Sequence, residues 1–169
     1  MTISIHDASV GIFVPFLRNL SEILGKAEAY TEARKIDPAI LLGMRLSPNM
    51  YDLTQQVGEA IRHAVIGCAL LAGHEPIAFS DSRPGLPGLR ARIAESIDFI
   101  QGLPRNEIDA AADKDVVFRL RSGVELPFTG RSLLLSFSVP QFFFHVTTAY
   151  DILRHAGVDL MKKDFLGRR

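Results

Sequence analysis

The run Ser132-Leu-Leu-Leu-Ser-Phe-Ser-Val-Pro140-Gln-Phe-Phe-Phe-His145-Val-Thr-Thr-Ala-Tyr150 has no residue of fixed charge, from the Arg131 before it to the Asp151 after it. Its length is near the roughly 20 residues that cross a bilayer, so it reads either as a span or as a buried helix. Ser132, Ser136, Ser138, Pro140, Gln141, His145, Thr147 and Thr148 interrupt the apolar surface and favour the buried helix. Thr129 is the expected N-cap and Gly157 the stop, with Arg154 and His155 complementing the negative end of the helix dipole. At about 100° per residue, Ser138, Gln141, His145, Thr148, Ala149 and Ile152 fall on one narrow polar and small-residue stripe. Phe137, Phe142 and Phe144 flank that stripe, while Phe143 and Tyr150 project opposite. A helix apolar on nearly all sides needs two covers. One is a bundle core; the other is expected to be a hairpin or the same helix of a second subunit, which makes a homodimer the expected assembly.

Outward from this helix, the same three-four spacing recurs. Val10, Phe13, Leu17, Leu20, Leu24 and Ala27 form a first stripe with Asp7 as the expected N-cap, and Pro15 predicts either a kink or a true start near Val14. Asp37-Pro38 reads as the N-cap and first residue of a short helix, and Ser47-Pro48 as the start of a long one. That second long helix carries Met50, Leu53, Val57, Ala60, Ala64, Cys68 and Leu71, ends at Gly73, and should be about 33 Å long. His74 to Gly88, with three prolines and two glycines, reads as an irregular connection. Leu89, Ile93, Ile97, Ile100 and Leu103 define a third helix stopped by Pro104. The period then changes to two: Val116, Phe118 and Leu120, then Ser122-Gly123, then Val124, Leu126 and Phe128. The expected fold is mainly all-α, a four-helix bundle with a small β-hairpin between the third and fourth long helices, forming one domain over residues 1–169.

The chain has 169 residues, 47% hydrophobic and 22% charged, and its 19 Lys and Arg balance 19 Asp and Glu, so no net field gathers phosphates. Nucleic-acid and membrane partners are therefore not expected. The single cysteine, Cys68, forbids an intrachain disulfide and any multi-cysteine metal site, which suits a cytoplasmic protein. The N-terminus lacks the basic start and apolar block of a secretory signal. No Gly-rich phosphate loop, nucleophile elbow, His-Glu-x-x-His or calcium loop occurs.

Chemistry is therefore sought in the polar stripe. Gln56 and His63 lie two turns apart on the second long helix, and if that flank faces the fourth, two imidazoles and two carboxamides converge: His145, His63, Gln141 and Gln56. The bland expectation is that both histidines are core residues bonded to a carbonyl, Thr148 or Gln141. The alternatives are a divalent metal (zinc, nickel or iron), since neutral imidazole is the commonest nitrogen ligand, and a metal-free pocket for a small molecule. Cys68 lies on the apolar seam as an inert small hydrophobe.

The run from Pro140 to Gly157, with Ser4-Ile-His-Asp-Ala-Ser9 and Arg45-Leu-Ser-Pro-Asn-Met-Tyr-Asp-Leu53, resembles an uncharacterised bacterial domain-of-unknown-function family within the DinB/YfiT-like superfamily. The resemblance covers almost the whole chain and implies a four-helix bundle, commonly dimeric. Metal-binding members present two histidines four apart on the last helix. Aligned on Leu153-Arg154 and Gly157, the resemblance puts His145 at the second and Gln141 at the first. It puts the third ligand near Gln55 or Gln56, with His63 two turns on. The expected function is thus a non-catalytic or vestigial metal site with a small internal pocket. A metal-dependent small-molecule thiol transferase or hydrolase is the first alternative and a dimeric interaction scaffold the second.

Overall fold

The computed structural model describes residues 3–79 and 85–168. Helix α1 spans Ile5–Arg34 and is capped one turn earlier than expected: Ser4 Oγ accepts from the Asp7 N–H, leaving Asp7 in the first turn. It runs through Pro15 without a break. Both Pro15 and Gly11 are exposed, so water reaches the carbonyl that the proline leaves unpaired. All six residues of the predicted stripe are buried. Helix α2, Pro38–Leu42, has Asp37 as its N-cap, as expected.

Helix α3, Leu53–Ala72, starts later than Ser47-Pro48 suggests. Ser47 and Met50 close a turn instead, and Asp52 caps the helix in a reciprocal box with Gln55. Its 20 residues span about 30 Å, and Gly73 at φ 73° closes its C-terminus. Helix α4, Gly85–Gly102, begins within the segment read as irregular, of which residues 80–84 lie outside the described residues. A short α5, Arg105–Asp109, follows from Pro104.

Strands β1, Asp115–Arg119, and β2, Glu125–Thr129, pair antiparallel with Val116 opposite Phe128 and Phe118 opposite Leu126. The alternation therefore places both apolar pairs on one face. Thr129 then caps α6, Gly130–Ser132, which leads into a π-helical segment over Leu133–Ser138 and α7 over Val139–His155. The wide turn has a local cause. Pro140 has no N–H for the carbonyl of Ser136 and its ring would press on that carbonyl, whereas Val139 N–H reaches back five residues to Leu134.

The bundle packs α3 against α7 and α1 against α4, around one buried apolar cluster. Phe13 of α1 meets Phe142 of α7 edge to face at 4.9 Å, and both are fully buried. Where α3 crosses the π segment, a Cβ on Gly67 would come within 2.9 Å of Ser138 Oγ, so a glycine sets the closeness of that pair. The far side of α7 is covered differently from the expectation. Phe143 packs on Phe16 at 4.8 Å and Tyr150 on Phe165 at 5.8 Å, Phe165 belonging to a short α8, Lys162–Leu166. The chain's own α1 and α8 take the place expected for a hairpin or second subunit. The hairpin instead covers the polar side, with Phe118 fully buried against His63 and Phe137. Among the described residues no helix is long and apolar enough to cross a membrane.

Candidate metal centre

Three residues of α3 at steps of three and four, Gln56, Glu59 and His63, share one face of that helix, and all are buried. His145, on the facing side of α7, is buried as well. Glu59, His63 and His145 each bring one ligand atom within 4.8 Å of the other two. His63 Nε2 stands 3.9 Å from Glu59 Oε2, beyond hydrogen-bond distance.

His145 is held by Gln56. The Gln56 amide nitrogen donates to the Tyr51 carbonyl at 3.2 Å, which turns its oxygen to His145, where Nδ1–H donates to Oε1 at 2.7 Å. This pair assigns the proton of neutral His145 to Nδ1 and leaves the Nε2 lone pair available. Gln56 is thus the residue that orients the imidazole rather than a member of the donor triad. Gln141 lines the pocket wall, half-buried, and Thr148 donates to the Phe144 carbonyl at 2.7 Å instead of to a histidine.

The imidazoles also lie in a column of near-parallel rings. Tyr51 stacks on His145 at 6.4 Å, His145 on His63 at 5.7 Å, and His63 on Phe118 at 5.6 Å, with interplanar angles of 24°, 11° and 8°. Helices and hairpin are joined through this column. Burial, then the neighbouring His145 and the Arg62 guanidinium, depress the His63 pKa to about 3, and burial lowers that of His145 against the pull of Glu59. Both rings are therefore neutral at pH 7, the protonation state in which imidazole binds metal. His63 is not the satisfied core histidine expected from the sequence. Its Nδ1 has no hydrogen-bond partner among the described residues.

The Glu59 carboxylate is shared by two cations. Arg121 Nη2 donates to Oε1 at 2.6 Å and Arg62 Nη1 to Oε2 at 3.5 Å. Arg62 is itself fixed by a bond to the Arg119 carbonyl at 3.1 Å and by the Phe118 ring, 5.1 Å from its guanidinium carbon. The cavity holding these groups, about 490 Å³, opens beside the exposed Tyr51 and Arg121 rather than lying inside the bundle.

Sequence reasoning placed Gln56, His63, Gln141 and His145 together and missed Glu59. The signal was present as Glu59-Ala-Ile-Arg-His63, a carboxylate and an imidazole one turn apart on a helix. The donor set fits a divalent metal of zinc type, which takes two imidazoles and a carboxylate with an open position at bonds of about 2.1 Å. Tetrahedral bonds of that length hold ligand atoms about 3.4 Å apart, so the triad closes on a metal by drawing together from separations of up to 4.8 Å.

Over residues 5–166 the chain matches the family model described as a domain of unknown function, DUF1993. Comparison with curated proteins gave no match. Among solved structures it is similar to a DinB family member protein from Shewanella denitrificans, with 35% sequence identity and a TM-score of 0.87. That likeness covers 97% of this chain and 92% of the other. A shared fold at that identity and a family match over nearly the whole length agree, and the chain belongs to the DUF1993 family, with a DinB-type helical bundle.

Proposed function

We propose that Glu59, His63 and His145 form a divalent-metal site serving hydrolysis or group transfer on a small molecule. The observation that carries this reading is the buried His63: neither ring nitrogen has a hydrogen-bond partner among the described residues, while a carboxylate and a second neutral imidazole converge on the same space. When bound, such a metal lowers the pKa of a coordinated water or thiol and polarises a substrate oxygen. The chain's own residues prepare the site. Gln56 fixes the tautomer of His145; Arg62 and Arg121 hold the Glu59 carboxylate in place; Phe118 and Phe137 pack against the His63 ring. The carboxylate supplies the third strong donor that the aligned glutamines lack.

A second reading is favoured by the same two arginines. With Glu59 neutralised by Arg121 at 2.6 Å, the pocket is equally suited to work without metal, as the non-catalytic or vestigial site expected from the glutamine substitutions. Calorimetric titration of chelator-treated, tag-free protein with zinc, nickel and ferrous iron separates the two. One equivalent bound at micromolar or tighter affinity, lost in both Glu59→Gln and His145→Ala, supports the metal reading; no uptake at millimolar metal overturns it. The homodimer belongs to this proposal too, and light scattering at micromolar concentration tests it: a monomeric mass refutes it.

A further inference from the structure

The metal triad occupies one of two neighbouring cavities. The second, about 200 Å³, lies on the other flank of α3 and is lined mainly by Ile61, Val65, Ile66, Ile77 and Phe79, with the Arg92 guanidinium over the Phe79 ring at 5.5 Å. Arg62 and Arg121 line both cavities. Two guanidiniums with one shared carboxylate, Glu59, leave a net positive charge at the junction. Each guanidinium carries five N–H donors. Arg121 commits one of its donors and Arg62 two, to Glu59 and the Arg119 carbonyl. The junction thus offers forked donors beside an apolar chamber on one side and the Glu59–His63–His145 cluster on the other.

From this juxtaposition we infer that the two cavities are one binding site for a small amphiphile. Its oxyanion head, a carboxylate or phosphate, lies on Arg62 and Arg121, and its short apolar tail fills the chamber beside Ile61, Ile66 and Phe79. The inference names the substrate class for the function proposed above and rests on that reading only for the reaction, because binding of the head and tail uses no metal. A polar anion without a tail would leave the chamber unfilled, and an apolar molecule without a head would leave the guanidiniums unanswered.

Gly58 makes the tail separately testable. It lines the apolar chamber from α3, and a Cβ built there meets nothing within 4 Å, so a leucine at this position projects into open space while improving helix propensity. The experiment is calorimetric titration of chelator-treated protein with acetate, butanoate, hexanoate and octanoate. Affinity should rise about fourfold for each added CH₂ until the chamber is full. Arg121→Gln, which removes one exposed guanidinium of the head site, should weaken octanoate about tenfold or more. Gly58→Leu should abolish the gain from chain length while leaving acetate unchanged. Equal affinity for acetate and octanoate, no binding of octanoate at millimolar concentration, or wild-type octanoate affinity in Gly58→Leu each overturns the inference. Zinc titration of the same samples keeps the two readings apart: a protein that takes octanoate with the expected series but no zinc loses only the metal reading. One that takes zinc without the series loses only the amphiphile.

Discussion

Replacing Gln56 by leucine removes the acceptor of the His145 Nδ1–H while nearly preserving side-chain volume. The bond is 2.7 Å long, Gln56 is 1% exposed and His145 6%, so no water replaces the lost oxygen at full strength. Leaving that buried N–H unpaired costs about 1–3 kcal/mol. At a urea slope of about 2 kcal/mol per molar, the unfolding midpoint should fall by roughly 0.5–1.5 M. The functional effect is distinct. Without Gln56 nothing holds the proton on Nδ1, the ring loses its fixed orientation, and metal affinity should fall about 10- to 100-fold, as for other residues that orient a ligand. Gln56→Glu keeps an oxygen at the same place, accepts the same proton and adds charge, so zinc affinity should be retained or rise. Urea titration and zinc calorimetry on both variants provide the test. A Gln56→Leu protein with wild-type midpoint and wild-type zinc affinity would refute the assignment of the 2.7 Å contact as the device that sets the tautomer.

Other expected outcomes are independent of the site. Burial pushes the Cys68 thiol up to about 12, so at pH 8 it should react with an aromatic disulfide only as fast as the protein unfolds; modification within minutes in native buffer contradicts its packing. Lys26, with the Met161 N–H, holds the Asp164 carboxyl below its usual range. Its contribution is fully present above the unfolded value near 3.9 and lost as pH falls through the lower folded value, so Asp164→Asn should cost about 1 kcal/mol at pH 7 and progressively less as the pH is lowered into the acid range. A pH-independent difference in denaturant unfolding would show that the carboxylate's charge is irrelevant. Gly130→Ala would drive a Cβ into the Ala111 carbonyl oxygen, a backbone atom held in place by the flanking Gly130–Lys114 and Arg131–Ala112 hydrogen bonds. A loss of about 1–3 kcal/mol, or roughly 3–10 °C in melting temperature, is expected by calorimetry, and an unchanged melting temperature contradicts the close approach.

The fold was legible where burial repeats with a period. The stripes through Phe13 and Leu17, through Val57 and Ala64, and through Ile93 and Ile100 are buried apart from the half-buried Met50 ahead of α3, and the two-residue alternation around Phe118 is the hairpin. Short pieces were not legible. Helix α8 has five residues, too few for a period, and its Phe165 covers Phe143 and Tyr150 only through tertiary packing. Ser47-Pro48 imitated a cap because Asp52 competed with it five residues on, and only Asp52 has a glutamine three positions later to complete the box. At the site, the convergence of His63 with His145 followed from helical phase. Glu59 escaped because an acidic residue beside an apolar seam reads as a solvated face. Its burial depends on Arg121, which arrives from a hairpin turn 62 residues away.

The π-helical turn before α7 has a consequence for how this helix tolerates insertions and deletions. A π turn is an α-helix carrying one surplus residue, and the flanking α-helical stretches are out of step by that residue. Buried positions Leu134, Ser138 and Phe142 accordingly advance by fours, where a regular helix would mix threes and fours. Loss of one residue among Leu135, Ser136 and Phe137 would restore continuous α geometry and still leave Thr129 at one end and His145 at the other facing as they do now. A π turn takes in the surplus residue by widening rather than by lengthening, so its removal would change the length of the helix little and act instead on the close crossing of Ser138 with Gly67 of α3.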